Sequence, residues 1–339
     1  MSVVSPRASG STAPEGIGRV VAAARARPVR VLVAVAMMAV LLVALVWDPE
    51  WRELRVVLTV LAILIAPAVW DAQRREVRPA VAVMLALILL ALIGPLFTRD
   101  PLMLNVGEAL GAPGGDLWFG TDQHGRDIFA RVIHGAQLDL GVGFSAAALA
   151  VVVGMPLGAL SVFAAAHIKG GGLFDSVLLR ISESFQAFPT LLLALGIVAA
   201  VGPSIPILIF IISIVNVPVY LRLTRSAVAP IVNADFVLAA RCAGQPVLRI
   251  LLRHILPNVK QVVLAQFSVN VAWAIQILAA LSFVGLGVPV PTPEWGAMVR
   301  DGYEQLVYGR WWVALFPGLA ILFAVLTLNQ LSDRVRHTT

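Results

Sequence analysis

Long apolar runs recur along this chain, at about 31–47, 56–70, 79–97, 140–165, 182–201, 205–223, 260–288 and 312–331, and nothing else in the sequence restricts the fold as tightly. A hydrocarbon core about 30 Å thick takes ~20 helical residues to cross, and all but the first two runs reach or approach that length. Backbone inside lipid must satisfy its own N–H and C=O groups, so each run is expected to be a helix. The runs at 31–47 and 56–70 are shorter. They span as a tight hairpin with Trp47, Trp51 and Trp70 at the interfaces, or else they lie in the interface as a hairpin. Composition points the same way: 59% of residues are hydrophobic, 13% are charged and the mean hydropathy is +0.90, against about 25% charged in soluble domains. The fold class expected is all-α, a polytopic membrane helix bundle.

The net charge of +6 would invite a nucleic-acid partner if the basic residues formed a patch, but they sit in short loops between the apolar runs. In a membrane protein that pattern is an orientation signal. Eight spans with the N-terminus inside place eighteen of the 25 Lys and Arg residues on the inner side and seven on the outer. Both termini and the segment 224–259 then face the cytoplasm. Residues 1–18, rich in Ser, Gly and Pro, read as disordered, within a cytoplasmic tail of residues 1–30. Arg19, Arg25, Arg27 and Arg30 before the first run resemble the start of a signal peptide. No small-residue cleavage site follows and a further apolar run comes almost at once, so an uncleaved anchor is expected.

The stretch from Asn233 to Asn258 is amphipathic and basic. Asn233 is a candidate N-cap and Asp235 suits the first turn of a helix. Phe236, Ala239, Ala240 and Ala243 recur at one helical face. Gly244 can take the left-handed conformation that stops this helix, and Pro246 can open a second one. The second helix places Val247, Leu248, Leu251, Leu252 and Ile255 on one face with Arg249 and Arg253 on the other, and Pro257 is expected to end it. By periodicity alone this is an interfacial helix pair.

Elsewhere the chain carries fewer chemical signals. In the outer segment, Asp122, His124 and Asp127 raise a metal or acid–base reading. No further histidine or carboxylate recurs nearby at ligand spacing, so a structured turn with an Arg126–Asp pairing is the better expectation. Gly154 and Gly158 form a Gly-x-x-x-Gly pair that allows close helix approach. Asp175 and Arg180 read as interfacial residues that snorkel. Glu183 can pair with Arg180, and it is the acidic candidate nearest membrane depth. Pro189 is expected to kink its helix. Cys242 is the single cysteine, which excludes an internal disulfide and a cysteine-based metal site. The chain has no phosphate-binding loop, no His-Glu-x-x-His and no Gly-x-Ser-x-Gly, and its five histidines are scattered. Catalysis of a hard reaction inside this chain is not expected. Energy for transport would come from a gradient or from a separate ATPase.

Four blocks, in order, carry a resemblance. Phe119-Gly120-Thr121-Asp122 followed by Gly125-Arg126-Asp127 resembles the signature before the membrane core of peptide-type ABC-importer permeases. Ala239-Ala240, Gly244 and Leu256-Pro257 resemble the "EAA" loop of those permeases, and Arg253-His254-Ile255-Leu256-Pro257-Asn258 resembles the peptide-importer branch in particular. The loop's leading glutamate is Leu238 here. Ser282-Phe283, Gly285, Gly287, Trp295 and Gly296 resemble the family's Gly/Pro-rich exit, and Ala314–Ile321 its last span. The resemblance covers about 79–335. It implies a type I ABC importer transmembrane domain of the peptide or nickel family, the peptide permease C-type subunit, in the cell membrane.

On that basis residues 79–135 hold the family's first helix and extracytoplasmic segment, and 136–335 the permease core. Residues 31–70 would be an extra N-terminal hairpin. The resemblance further implies an ATPase-coupling role for Ala239, Ala240, Gly244, Arg249, Arg253, His254, Leu256 and Pro257, and a gate or exit role for Ser282, Phe283, Gly285, Gly287, Trp295 and Gly296. No cofactor or metal is implied in this chain, since ATP and Mg would sit on partner subunits. The implied partners are a second homologous permease, two ATP-binding subunits and an extracytoplasmic solute-binding protein. A gradient-driven secondary transporter or channel is the alternative.

Overall fold

A computed structural model describes residues 78–337; the tail expected at 1–30 and the hairpin expected at 31–70 lie outside the described residues. The regular structure of the described residues is all helical; the segments at 97–127 and 285–294 are irregular, with two isolated bridges, Gly114–Leu117 and Thr121–Asp127. In chain order the helices are α1 (Arg78–Ile93), α2 (Ile128–His167), α3 (Gly171–Ala187), α4 (Thr190–Val201), α5 (Ile205–Val228), α6 (Asp235–Cys242), α7 (Val247–Ile250), α8 (Leu256–Val284), α9 (Trp295–Tyr303) and α10 (Trp312–His337).

Within this set α2, α5, α8 and α10 are long and apolar enough to cross a membrane, and α3 with α4 makes a fifth candidate span. α1, extended by a short turn of 3-10 helix at Gly94–Leu96, is a shorter apolar helix. The kink expected at Pro189 is a full break: α3 and α4 meet at 87°. Proline has no N–H to continue the ladder and disfavours helical backbone before it, and Phe188 is accordingly extended, with φ −83° and ψ 137°.

α2 is the long axis of the bundle. At 1.5 Å per residue its 40 residues measure about 60 Å, twice the hydrocarbon thickness. Its first half packs with α1, α8, α9 and α10 around Leu140, Phe144, Ala147, Ile275, Trp295 and Leu328. Its opposite side meets α4, α5 and α8 around Val142, Ala146, Val198, Ile212 and Leu278. Its last turns pack against the ends of α5 and α8 and against α6 and α7. The close approach expected at Gly154 and Gly158 is made with α5. A Cβ on Gly154 would stand 2.7 Å from Tyr220 Cβ and 2.8 Å from Val217 O, and one on Gly158 would collide with Leu221 O. Without side chains between them, the two helices are locked backbone to backbone.

Candidate coupling element and cap

The helix pair lies at one end of α2 and the 97–127 segment at the other, so the two sequence motifs stand at opposite ends of the bundle. In the pair, α6 begins at Asp235 with Ala234 as its N-cap and no side-chain capping bond, so Asn233 is not the cap expected. Asp235 does occupy the first turn. Gly244 adopts φ +71°. Its N–H donates to Arg241 O at 2.9 Å and the Gln245 N–H donates to Ala240 O at 3.1 Å, the paired bonds of a Schellman turn. His254 Nε2 donates to Gln245 Oε1 at 3.2 Å, tying the turn to the next helix.

That next helix corrects a second expectation. Pro257 does not end it: α7 passes through a π-helical turn, Leu251–Ile255, directly into α8, and Pro257 occupies the first turn of α8. A wider turn relieves the clash a proline ring makes with the preceding helix, so the chain runs from the Gly244 turn into a membrane span without a joint.

Burial also divides the pair differently from the periodic faces. Val237 and Ala240 of α6, with Ile250, Leu251 and Ile255, pack against Ala159, Val162 and Phe163 of α2. Phe236, Leu238, Leu248 and Leu252 are exposed, Leu248 to 66%. Ala239, Arg249 and Arg253 are exposed beside them. The pair is thus anchored on one face and presents an apolar, basic-edged surface on the other.

At the opposite end the turn expected around Arg126 is present. Asp122 accepts from the backbone N–H of His124 at 2.8 Å and of Arg126 at 3.0 Å, and from Arg126 Nε at 2.6 Å. Arg131 adds its Nε at 3.7 Å and donates through Nη1 to Pro101 O and Pro291 O. Thr121 Oγ1 accepts from Gly111 N–H and donates to Glu108 O. Asp127 caps α2 through Phe129 N–H at 2.9 Å. Gly120 and Gly125 have positive φ, and a Cβ on either would strike the carbonyl oxygen of Gly111 or Gly107. Asp122, His124 and Asp127 therefore build a turn and a helix cap, and no metal-holding group of three His, Cys, Asp or Glu residues occurs among the described residues.

The Ser282–Gly296 segment completes this cap. Gly285, at φ +94°, ends α8. Gly287 lies against Ser282, and Gly296 against the Ala279 backbone, both too closely for a Cβ. Phe283 is exposed and meets Tyr303 edge-on. Trp295 is buried, its Nε1 donating to Val132 O at 2.9 Å. Glu294 caps α9, accepting from Gly296 and Ala297 N–H at 2.8 and 2.7 Å. Burial pushes the Glu294 carboxyl above the ordinary carboxylate range, against the backbone N–H groups that hold it down.

Several residues that organise these ends were not singled out by sequence. Asp139, within α2, is fully buried and accepts from Trp295 N–H at 3.2 Å. The signal was a carboxylate between two leucines at the start of an apolar run. Asp175 does not snorkel. It is buried and makes a bidentate pair with Arg225 of α5, at 2.9 and 2.8 Å. Glu183 is exposed and forms no ion pair with Arg180, which is exposed as expected. Among the described residues Asp139 and Glu294 are the acids with no exposure at all, and both lie at the cap, whereas Glu183 is exposed.

Known proteins match this arrangement. A family profile described as "Binding-protein-dependent transport system inner membrane component" matches residues 154–337. The dipeptide transport system permease protein DppC of Alkalihalophilus pseudofirmus is 40% identical over 250 residues, covering 74% of this chain and 80% of that protein. The di/tripeptide transport system permease protein DppC of Pseudomonas aeruginosa is 41% identical over 217 residues, 64% of this chain and 69% of that one. The glutathione transport system permease protein GsiD of Escherichia coli is 37% identical over 233 residues, 69% and 73% of the two chains. Among solved structures, an inward-facing MetNI methionine ABC transporter chain aligns with TM-score 0.51 at 17% identity, over 62% of this chain and 98% of that one, which is a likeness of fold. The chain belongs to the binding-protein-dependent transport system inner membrane components, multi-pass membrane proteins that serve as permease subunits of ABC importers.

Proposed function

We propose that this permease carries di- or oligopeptides inward, and that the 233–257 helix pair is the element through which ATPase subunits drive it. The peptide class is drawn from relatives named as dipeptide, di/tripeptide and glutathione permeases. Membership in a binding-protein-dependent ABC family implies ATPase and binding-protein partners. The fuller assembly has a second homologous permease, two ATP-binding subunits and a solute-binding protein on the outer face. Both termini and the helix pair face the cytoplasm in this arrangement, and the Gly120–Asp127 turn with the Ser282–Gly296 segment forms the extracytoplasmic end of the path.

One observation carries the coupling role. The pair is packed against α2 on its inner face, exposed and apolar on its outer face, and continuous through Leu251–Ile255 into α8. A push on Leu248 or Leu252 is therefore a push on a membrane span. Leu238, standing where the family's loop carries glutamate, extends that surface with an apolar contact in place of a charge. ATP-driven closure of the ATPases would draw the helix pairs of the two permeases together and rock the bundle between two discrete packings.

Co-reconstitution with partner ATPases and a binding protein of this family tests this. Uptake into proteoliposomes should require ATP and the binding protein, and Leu248→Glu with Leu252→Glu should abolish it while the ATPases still hydrolyse ATP. Uptake that follows a proton or sodium gradient without ATPase would overturn the proposal.

A further inference from the structure

His167 closes α2 at the helix-pair end, and its two ring nitrogens face partners of fixed and opposite polarity. Nε2 lies 3.2 Å from Val232 O, a group that can only accept. Nδ1 lies 2.8 Å from Arg241 Nη1, a group that can only donate. The neutral ring with its hydrogen on Nε2 is the form that satisfies both contacts. Phe163, one turn back on α2, meets the ring edge-on with centroids 4.9 Å apart and fixes its orientation.

The placement of those partners gives the contact its meaning. Val232 lies in the chain leading into α6, and Arg241 is in the last turn of α6. One side chain therefore grips α6 from its entry and from its end, beside the apolar cluster of Phe163, Val228, Val232, Val237 and Ala240. The other end of α2 is held just as firmly, by the Asp127 cap, by Arg131 and by the bonds from Trp295 to Asp139 and Val132. Apolar packing alone lets a short helix slide and rotate. The two directional bonds set its angle.

We propose that His167 is the positioning residue through which α2 fixes the orientation of α6, so that movement of the helix pair reaches the cap through one continuous helix. The proposal rests on the coupling role given to 233–257. It assigns that coupling a second route, through α2, beside the direct one through α8.

Cys242 is the single cysteine of the chain, exposed and adjacent to Arg241, so the native protein offers a specific probe. A spin label on Cys242 of the full-length permease in nanodiscs should be ordered, and His167→Ala should mobilise it. Asn places a carbonyl oxygen near the site of Nδ1, and Gln places an amide N–H near that of Nε2. His167→Asn should therefore keep the Arg241 contact and restore most of the order, with His167→Gln restoring less. In the assembled complex, stimulation of ATP hydrolysis by the binding protein as purified should fall at least roughly fivefold in His167→Ala, the factor a single ordinary net hydrogen bond represents, and recover in large part in His167→Asn.

A label equally ordered in wild type and His167→Ala overturns the proposal, as does His167→Asn behaving like His167→Ala. If His167→Ala fails to fold, the contrast between the Asn and Gln variants decides. A photo-cross-linker on Cys242 separates this from the coupling reading. Failure to trap an ATPase subunit removes the coupling role, whereas trapping with unchanged His167→Ala stimulation removes only the role of His167.

Discussion

Gly244 and Gly296 are both glycines for backbone reasons, yet they predict different mutants. Nothing lies within 4 Å of a Cβ built on Gly244, so a substitution there meets only the positive φ. Gly244→Val should cost about 1–2 kcal/mol locally, leaving insertion and the unfolding midpoint nearly intact while transport per ATP falls. Transport equal to wild type would show that the turn is not needed for coupling. A Cβ on Gly296 would collide with the Ala279 backbone. Gly296→Ala should therefore destabilise the whole cap, by about 1–3 kcal/mol if it behaves as an overpacked core site, read as a lower unfolding midpoint in detergent.

Glu294 adds a pH dependence with a definite sign. Its carboxyl is raised in the folded state, so its contribution to stability is complete below the unfolded carboxylate value of about 4.3. That contribution is lost as pH climbs through the raised native value. Thermal unfolding should show wild type losing stability across that window and Glu294→Gln losing less.

At the scale of elements, an ion pair ties α3 to α5. Arg225 meets Asp175 with both fork nitrogens, and Asp175 is largely buried. Arg225→Leu leaves that carboxylate without its partner and should cost about 1–3 kcal/mol. Arg225→Lys should recover part of the loss but not all of it, because an ammonium cannot reproduce the planar fork. Asp175→Asn combined with Arg225→Leu should be less damaging than Arg225→Leu alone. Unfolding midpoints of the set would show whether the pair or only the buried charge matters. α2 and α5, in contrast, are joined by contact between backbones at Gly154 and Gly158 and should behave as one body.

For the whole molecule, the proposed orientation makes a simple prediction. Cys242 is exposed on the helix pair, so a membrane-impermeant thiol reagent should label it in inside-out vesicles and leave it unlabelled in right-side-out ones. Labelling from the outside would reverse the topology and remove the helix pair from reach of any cytoplasmic ATPase. The architecture itself separates two ends joined by long helices: α2 and α8 each contact the helix pair at one end and the cap at the other. In the proposed mechanism such a bundle rocks between two packings, since close packing of its helices favours discrete arrangements over continuous deformation.

Much of this was written in local pattern. Apolar runs of bilayer length determined that the chain is a helix bundle, because lipid leaves the backbone no other partner. Gly244 at positive φ, the turn with its Asp122–Arg126 pairing and the close approach at Gly154 and Gly158 were legible for a similar reason: each depends on residues a few positions apart or on the absence of a side chain. The structure alone decided what depends on distant partners. Asp175 finds Arg225, Asp139 finds Trp295, and His167 finds Arg241, each across tens of residues that no periodicity connects. Tertiary packing also decided that Val237 and Ala240 face inward while Phe236 faces out, and that Pro257 is carried through a π turn into α8. The face of a short helix is set by the surface it lands on. Sequence could mark out the amphipathic helix pair at 233–257, but its anchorage to α2 exists only in the folded bundle.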